Sequence, residues 1–409
     1  MANAYNSVEY DKNALIIDAV LFSFTGSLNF TELYLISIAA AEQKVNRIMD
    51  SHTLLRKFQI EHVALTKDQK SDMESKRDLN LKRAQRGLEA NKKPKIVDTI
   101  NQGGKAMDTM THPPEGDEAS RYDIDMGVVF DEADALGART TRRWIADAIE
   151  EASPATMVNT PDIKNKCVRV VYSEGYQCDF PVFKRIPAGT GYVYEVSIGD
   201  EWVSSDPGAV NQWFRDSVRN LSPENSGDYQ LRRIVRLVKY FAKVRALKTG
   251  TKFPAGLLVT AITVNNYVPV ADRDDQAFYK TLSAIINSLR WSKQVYVDGV
   301  LITDDKDDLR LDRFVEAAEK ATDDLARLFD GATDVSAEQT ARAWKKVFSH
   351  SYFASEEALN QIEAVNGTTE TKAANDGLSA AVALGASYSS DKGFEPKNPV
   401  NKAGGGTSG

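Results

Sequence analysis

Cysteine is scarce in this chain, with only Cys167 and Cys178 in 409 residues, so a disulfide framework is excluded. Histidine is nearly as rare, and His52, His62, His112 and His350 show no Cys/His ligand spacing, which removes a structural zinc site. Long apolar runs are missing too. The most apolar N-terminal stretch, Leu15 to Phe24, is broken by Asp18 and falls short of the roughly 20 residues that span a bilayer. No basic n-region or cleavage pattern precedes it, so neither a signal peptide nor a membrane anchor is expected, and free thiols fit a reducing cytoplasm. Positive charge is not in excess either: 51 Lys+Arg against 58 Asp+Glu leave a net charge of −7, which argues against a general nucleic-acid coat.

What is present is enough for two lobes with cores of their own, since 42% of the residues are hydrophobic and 27% charged. From Asn29 to about His62 apolar residues recur with helical spacing (Leu33, Ile36, Val45, Ile48, Leu54, Leu55, Phe58). A second helix opens at Thr66-Lys67-Asp68-Gln69, a capping box, and runs to about Gly87. Its Lys76, Arg77, Lys82, Arg83 and Arg86 read as a solvated face. The period then changes, with strand-like runs at Ile96–Asn101, Ile124–Phe130, Lys166–Tyr172, Cys178–Phe183 and Tyr192–Ile198 and a helix at Thr140–Glu151. After Pro207 helical spacing returns, near Gly208–Asn220, Tyr229–Lys248, Pro254–Val264, Asp274–Ser292, Asp308–Leu328 and Ser336–Phe348. The expected organisation is an N-terminal helical segment (1–65), a lobe of mixed sheet and helices (66–205), an all-helical lobe (206–365) and a flexible tail (366–409) rich in Thr, Ser, Ala, Asn and Gly. This is an α+β chain, and the cleft between its lobes is where a ligand is expected.

The chemistry concentrates in Asn101-Gln102-Gly103-Gly104 and Tyr122-Asp123-Ile124-Asp125. Residues i and i+2 of a strand share a face, so Asp123 and Asp125 set two carboxylates side by side. A hard cation such as Mg²⁺ or Mn²⁺ relieves that repulsion. A Gly-Gly turn about twenty residues upstream leaves backbone amides open to phosphate oxygens. Asp179, in the apolar run Cys178–Phe183, is costly to bury alone. It either completes a two-metal site for phosphoryl transfer with Asp123 and Asp125, or pairs with Lys166 or Arg169 across a hairpin. On the helix at Tyr229–Lys248, Arg232, Arg236, Lys239 and Lys243 fall within about 60° of one another at 100° per residue. Opposite them stand Ile234, Leu237, Val238, Phe241 and Val244, so the helix presents either a solvated face or a cationic stripe suited to polyphosphate.

In these motifs the chain resembles the nucleotidyltransferases of the polymerase-beta-like superfamily, whose pattern is Gly-Ser, a Thr, Asp-x-Asp and a later third Asp. Within it the chain is most similar to the bacterial cyclic-oligonucleotide synthases related to animal cyclic GMP-AMP synthase, which act in CBASS anti-phage signalling. Gln102-Gly103, Thr109, Tyr122 to Val128, Asp179-Phe180-Pro181-Val182, Ser205-Asp206-Pro207 and Leu231 to Arg236 carry the resemblance, over roughly residues 66 to 300. Two positions depart from the pattern: Gly104 and Ala255 stand where the family has serines that reach the donor triphosphate.

The resemblance implies a fold of a polymerase-beta-like lobe plus a helical lobe, and synthesis of a cyclic di- or trinucleotide messenger from nucleoside triphosphates, ATP and/or GTP. It implies Asp123, Asp125 and Asp179 as catalytic residues holding two Mg²⁺ or Mn²⁺ ions per site, with Asp179 also near the acceptor hydroxyl. Gln102, Gly103, Gly104, Thr109, Ser205, Asp206, Arg232 and Lys239 are the implied nucleotide contacts, and Tyr122, Tyr192 and Tyr194 are candidates for base stacking. Transfer of one nucleotide to an RNA end, a small molecule or a protein is the competing enzyme reading, and a catalytically weak nucleotide-binding sensor is the competing non-enzyme. The animal relative holds DNA with a zinc-bearing insertion; the Cys/His set for one is absent here, so no DNA requirement is expected. A downstream effector is implied through the cyclic product. Some family members are joined through their C-terminus to other molecules by a ubiquitin-transfer-like enzyme, and the glycine-rich end at Gly409 fits either such conjugation or a linker scar.

Overall fold

The structure, a computed structural model, describes residues 50–117, 122–153, 160–173, 176–224, 227–330 and 335–364, all within one unit, Ile48–Gly367. The expected helices before residue 50 and the tail with Gly409 lie outside the described residues. Two elements open the described chain, α1 (His52–Phe58), continued by one π-helical turn (Gln59–Val63), and α2 (Lys67–Ala90). The capping box at α2 forms as expected: the Thr66 hydroxyl accepts from the Gln69 amide and the Gln69 side chain from Thr66 N–H.

The sheet follows as β1 (Asp98–Asn101), a short α3 (Gly103–Ala106), β2 (Tyr122–Asp131), α4 (Ala138–Glu151), β3 (Asp162–Ile163), β4 (Val168–Val171), β5 (Tyr176–Phe180), β6 (Val182–Ala188), β7 (Gly191–Ile198) and β8 (Glu201–Ser204). β2 is its spine. β1 lies antiparallel to β2, while β5 and then β6 run parallel to it in one unbroken register. The single run expected over Cys178–Phe183 is therefore two strands. Pro181, which has no N–H, interrupts the ladder, but its carbonyl still accepts from Val128 N–H at 2.9 Å. That break lets β4 and β3 extend the sheet beside β5 while β7 and β8 extend it beside β6. β3 and β8 are too short and polar to have shown a strand period.

Alternation sorts β2 into two faces. Ile124, Met126, Val128 and Phe130 enter a core shared with Ile145 and Ile149 of α4, and with Met73, Ala84 and Leu88 of α2. Asp123 and Asp125 take the other face. Part of α2 is less solvated than its charge run suggested. Arg77 is buried and bonds Asn101, and Gly87 meets the Ala148 backbone of α4 so closely that a Cβ there has no room.

The second lobe comprises α5 (Pro207–Leu221), α6 (Gln230–Thr249), α7 (Gly256–Asn265), α8 (Asp274–Trp291), α9 (Asp305–Phe329) and α10 (Ala337–Phe348). It is not entirely helical, because a two-stranded hairpin, β9 (Tyr296–Val297) and β10 (Val300–Leu301), joins α8 to α9. α6 is its axis, with Ile234, Leu237, Val238, Phe241 and Val244 all buried. Leu54, Leu55, Phe58 and Val63 pack into the same core, and Trp344 Nε1 donates to Ser51 Oγ at 3.0 Å. So residues 51–63 are part of this lobe's core. Met107, following α3, is buried with Phe214, Val218, Leu231 and Val235, which anchors the glycine turn to the helical lobe.

Candidate active site

Register alone brings the three acids together. Asp125 and Asp179 are direct partners on the parallel strands β2 and β5, and Asp123 pairs with Gln177 two residues before. One carboxylate oxygen from each of Asp123, Asp125 and Asp179 lies within 4.8 Å of the others. Asp179 is buried, Asp125 half-buried and Asp123 open to solvent, so the cluster grades from the sheet floor to the cleft.

Asp123 and Asp125 are both costly as bare charges. The protein surrounding Asp125, and then the charges of Asp123 and Asp179, raise its pKa well above the ordinary carboxylate value. Asp123 is raised by the same desolvation and by Asp179, with a hydrogen bond from Gln177 opposing the shift. Gln177 had no motif to mark it; only strand register reveals that it faces Asp123. Three converging carboxylates of this kind are a hard-oxygen donor set that fits Mg²⁺ or Mn²⁺.

Asp179 has contacts on two sides. It belongs to the acid cluster, and Arg169, its direct partner on β4, donates to it from Nε at 2.8 Å and from a terminal nitrogen at 2.6 Å. Lys166 is not its partner. The Cys167 thiol also hydrogen-bonds Asp179, and burial followed by that carboxylate pushes the thiol pKa far up.

The glycine turn closes one side of the site. Gly103 has φ +59, and a Cβ built on it would fall on Oδ2 of Asp125. Only glycine satisfies both the backbone angle and the approach. Gly104 is less constrained: its Cβ would meet Met110 Cγ at 3.2 Å and Lys239 Nζ at 3.5 Å. Gln102 precedes the short α3, at its N-cap position, without a side-chain cap bond.

The basic face of α6 does not stand free as a stripe. It grips the segment that leads from the glycine turn towards β2. Arg236 is buried and donates to the carbonyl and carboxylate of Asp108 (2.9 and 2.8 Å) and to Asp228. Lys239 Nζ donates to the carbonyl of Thr109 at 2.9 Å and to its hydroxyl at 3.3 Å, and Lys243 Nζ to the Thr111 hydroxyl at 2.8 Å. Desolvation, and then Lys243, lower the Lys239 pKa to about 8, while Asp125 and Asp123 oppose the fall. Desolvation likewise brings Lys243 to about 8.

The remaining expected contacts divide. Thr109 is fully buried and serves as the seat of Lys239. Asp206 caps α5 by accepting from Ala209 N–H at 2.9 Å, and Ser205 N–H bonds the Tyr194 carbonyl. Arg232 lies 5.7 Å over the Tyr229 ring, and its buried Nε has no hydrogen-bond partner. Tyr122 is on the core face of β2, opposite the acids, and bonds His112 at 2.9 Å, while Tyr192 lies under Arg185 at 4.5 Å. The structure thus groups Asp123, Asp125, Asp179, Gly103, Gly104 and Lys239. It gives Asp206, Tyr122 and Tyr192 other contacts.

Comparison with known proteins agrees with this geometry. Residues 97–183 match the family model for the nucleotidyltransferase domain of DncV-like cyclic GMP-AMP synthases. Among solved structures it is similar to the Vibrio cholerae cyclic AMP-GMP synthase DncV, described as a prokaryotic cGAS homolog, at 16% identity and TM-score 0.58 over 73% of this chain and 96% of that one. The same Vibrio enzyme in complex with the linear intermediate 5′ pppA(3′,5′)pG matches with TM-score 0.60 at 16% identity, over 76% and 99% of the two chains. CdnC of Escherichia coli MS115-1 with ATP matches with TM-score 0.54 at 16% identity, again over 76% and 99%. The fold is that of these proteins. No helix of the described residues is long and apolar enough to cross a membrane.

Proposed function

We propose that this protein is a metal-dependent cyclic-oligonucleotide synthase that joins nucleoside triphosphates, ATP and/or GTP, into a cyclic di- or trinucleotide messenger. The observation that carries the reading is the convergence of Asp123, Asp125 and Asp179 within 4.8 Å, next to the Gly103 turn, in a DncV-like nucleotidyltransferase domain. Asp123 and Asp125 would hold two Mg²⁺ or Mn²⁺ ions, with Asp179 completing the acceptor side. Such ions lower the pKa of an attacking ribose hydroxyl and offset charge on the departing pyrophosphate.

The chain's own residues do the rest. Gly103 and Gly104 offer backbone amides to the donor phosphates without a side chain in the way. Lys239, anchored on Thr109 and 3.5 Å from the Cβ position of Gly104, supplies positive charge beside them. Asp179 orients the acceptor. DncV of Vibrio is seen with a linear pppA(3′,5′)pG intermediate, and we carry that route over: the linear product rebinds in the same site and closes to a ring. The wider assignment is a cytoplasmic role in anti-phage defence with no DNA requirement and a downstream effector reached through the cyclic product, with the glycine-rich segment at Gly409 either a conjugation point for a ubiquitin-transfer-like enzyme or a linker scar. Intact-mass spectra of the protein from cells that hold that enzyme test the last point; free Gly409 alone would exclude conjugation.

The activity test incubates purified protein with four radiolabelled nucleoside triphosphates and Mg²⁺ or Mn²⁺, treats with phosphatase and separates the products, beside Asp123→Asn/Asp125→Asn. A phosphatase-resistant species that the variant lacks is expected. Labelled RNA, protein or small molecule in its place would establish single-nucleotide transfer, and nucleotide binding without any product would establish a sensor.

A further inference from the structure

We propose that Arg169 is the positioning residue of the acidic site: from the outer strand it orients the Asp179 carboxylate so that this acid completes the metal-binding set. The inference rests on the metal-site reading above and concerns what makes the third acid usable.

Three residues stand in a row across three strands. Arg169 of β4 is the direct partner of Asp179 on β5, and Asp179 is the direct partner of Asp125 on β2. Directly opposed residues share a face, so guanidinium, central carboxylate and outer carboxylate all lie on the acid side of the sheet. β5 separates β4 from β2, so the arginine approaches Asp179 from the side away from Asp123 and Asp125.

The contact is a fork on a fork. Nε meets Oδ1 at 2.8 Å and a terminal nitrogen meets Oδ2 at 2.6 Å. Two parallel bonds fix the plane of a carboxylate as well as its place, which a single ammonium contact does not. Each carboxylate oxygen carries two lone pairs. The bidentate grip uses one on each and the Cys167 thiol takes a third, which leaves one for a cation among the acids. The geometry is therefore additive: arginine outside, metal inside. Without Arg169 a carboxylate with 6% of its surface exposed faces two like charges within 4.8 Å, with the Cys167 thiol as its remaining hydrogen-bond partner among the described residues. Rotation away from Asp125 then relieves the repulsion and removes a ligand.

The opposite role for such an arginine, a plug that must leave before metal enters, makes the contrary prediction, and one titration separates them. Free Mn²⁺ is followed by electron paramagnetic resonance as it is added to the full chain without nucleotide. Wild type, Arg169→Met, Arg169→Lys and, as the site control, Asp125→Asn are compared, and each is checked by its melting curve. Arg169→Met is expected to weaken Mn²⁺ binding by about tenfold or more, the usual scale for losing a residue that orients a metal ligand. Lysine restores the charge but not the fork, so Arg169→Lys is expected to fall between methionine and wild type. Equal or tighter binding in Arg169→Met overturns the proposal in favour of an idle or plugging arginine. If the methionine variant does not fold, the lysine variant decides alone, since binding equal to wild type would show that charge suffices without orientation. Wild type and Asp125→Asn binding alike would instead overturn the metal site itself, and this inference with it.

Discussion

Lys239 of the helical lobe donates from Nζ to the carbonyl of Thr109 in the nucleotidyltransferase lobe, at 2.9 Å, and its pKa is lowered to about 8 by desolvation and by Lys243. A triphosphate beside it favours the charged form and raises that pKa. Below pH 8 the free lysine already carries its proton; above it, binding must take one up. Nucleoside triphosphate affinity is therefore expected to fall between about pH 8 and pH 9, approaching tenfold per unit well above the free pKa. Calorimetry in two buffers of different ionisation enthalpy should show proton uptake at the higher pH. Lys239→Met should bind weakly with no such slope, and a wild-type profile identical to that of the variant would remove Lys239 from the donor site.

The acid cluster makes a prediction about stability. The Asp125 pKa is raised well above its ordinary 3.8 by desolvation and by Asp123 and Asp179. The folded state thus keeps a proton that the unfolded state has already lost, so stability falls as pH rises through the interval from the ordinary value to the folded one. Above that interval the like-charge penalty is fully present. In EDTA at neutral pH, Asp125→Asn should melt higher than wild type while making no product, and Mn²⁺ should raise the wild-type midpoint only. A variant that melts lower in EDTA would mean that Asp125 stabilises the metal-free fold.

Gly103 is the tightest position of the site, with φ +59 and no room for a Cβ against Asp125. Gly103→Ala should displace the Asp125 carboxylate and reduce turnover by about a hundredfold, since roughly an ångström of misplacement has that effect. The accompanying cost from forcing the left-handed backbone is about 1 kcal/mol. Turnover and melting measured together check both; near-normal turnover would show that the turn moves away from the acid.

Much of this was legible beforehand because it is periodic. Alternation placed Asp123 and Asp125 on one face, and the 3.6-residue period located the six long helices of the second lobe to within a few residues. Register was not legible. Nothing local says that Asp179 faces Asp125 and not a residue two steps away, that Gln177 faces Asp123, or that Arg169 lies beyond Asp179. The basic side of α6 shows the same limit. Its helical spacing was plain, but its partners, Asp108, Thr109 and Thr111, lie about 130 residues earlier. What read as either a solvated face or a stripe for polyphosphate is mainly a clasp between lobes, with Lys239 the member beside Gly104 and the acids. Pro181 was visible, yet its effect, dividing one strand into two that feed different halves of the sheet, depends on tertiary pairing.

Ala255 stands at the N-cap of α7 with no side chain to cap it. A serine placed there would accept an orphan helix amide, which is worth about 0.5–2 kcal/mol. Ala255→Ser should therefore raise the melting temperature without loss of turnover. An unchanged midpoint would mean that those amides are already satisfied by other groups.

Gly104 tests the other missing serine, and the geometry separates it from its neighbour. Its Cβ would lie 3.2 Å from Met110 Cγ and 3.4 Å from Met110 N, tight but relieved by a shift of a few tenths of an ångström, whereas Gly103 has no such space. Gly104→Ser is thus expected to cost no more than about 1–3 kcal/mol of stability, the range for mild overpacking. Its hydroxyl would enter the space beside Lys239 Nζ, 3.5 Å from the new Cβ, where a triphosphate oxygen is expected. One added hydrogen bond to a charged group is worth about 1.5–3 kcal/mol, so KM for the donor nucleotide should drop about tenfold or more while kcat stays within a few-fold. That split follows because the added contact is made equally in the ground and transition states. A kcat that changes while KM does not would place the donor phosphates away from Gly104 and Lys239, and would return the glycine turn to a purely structural role against Asp125.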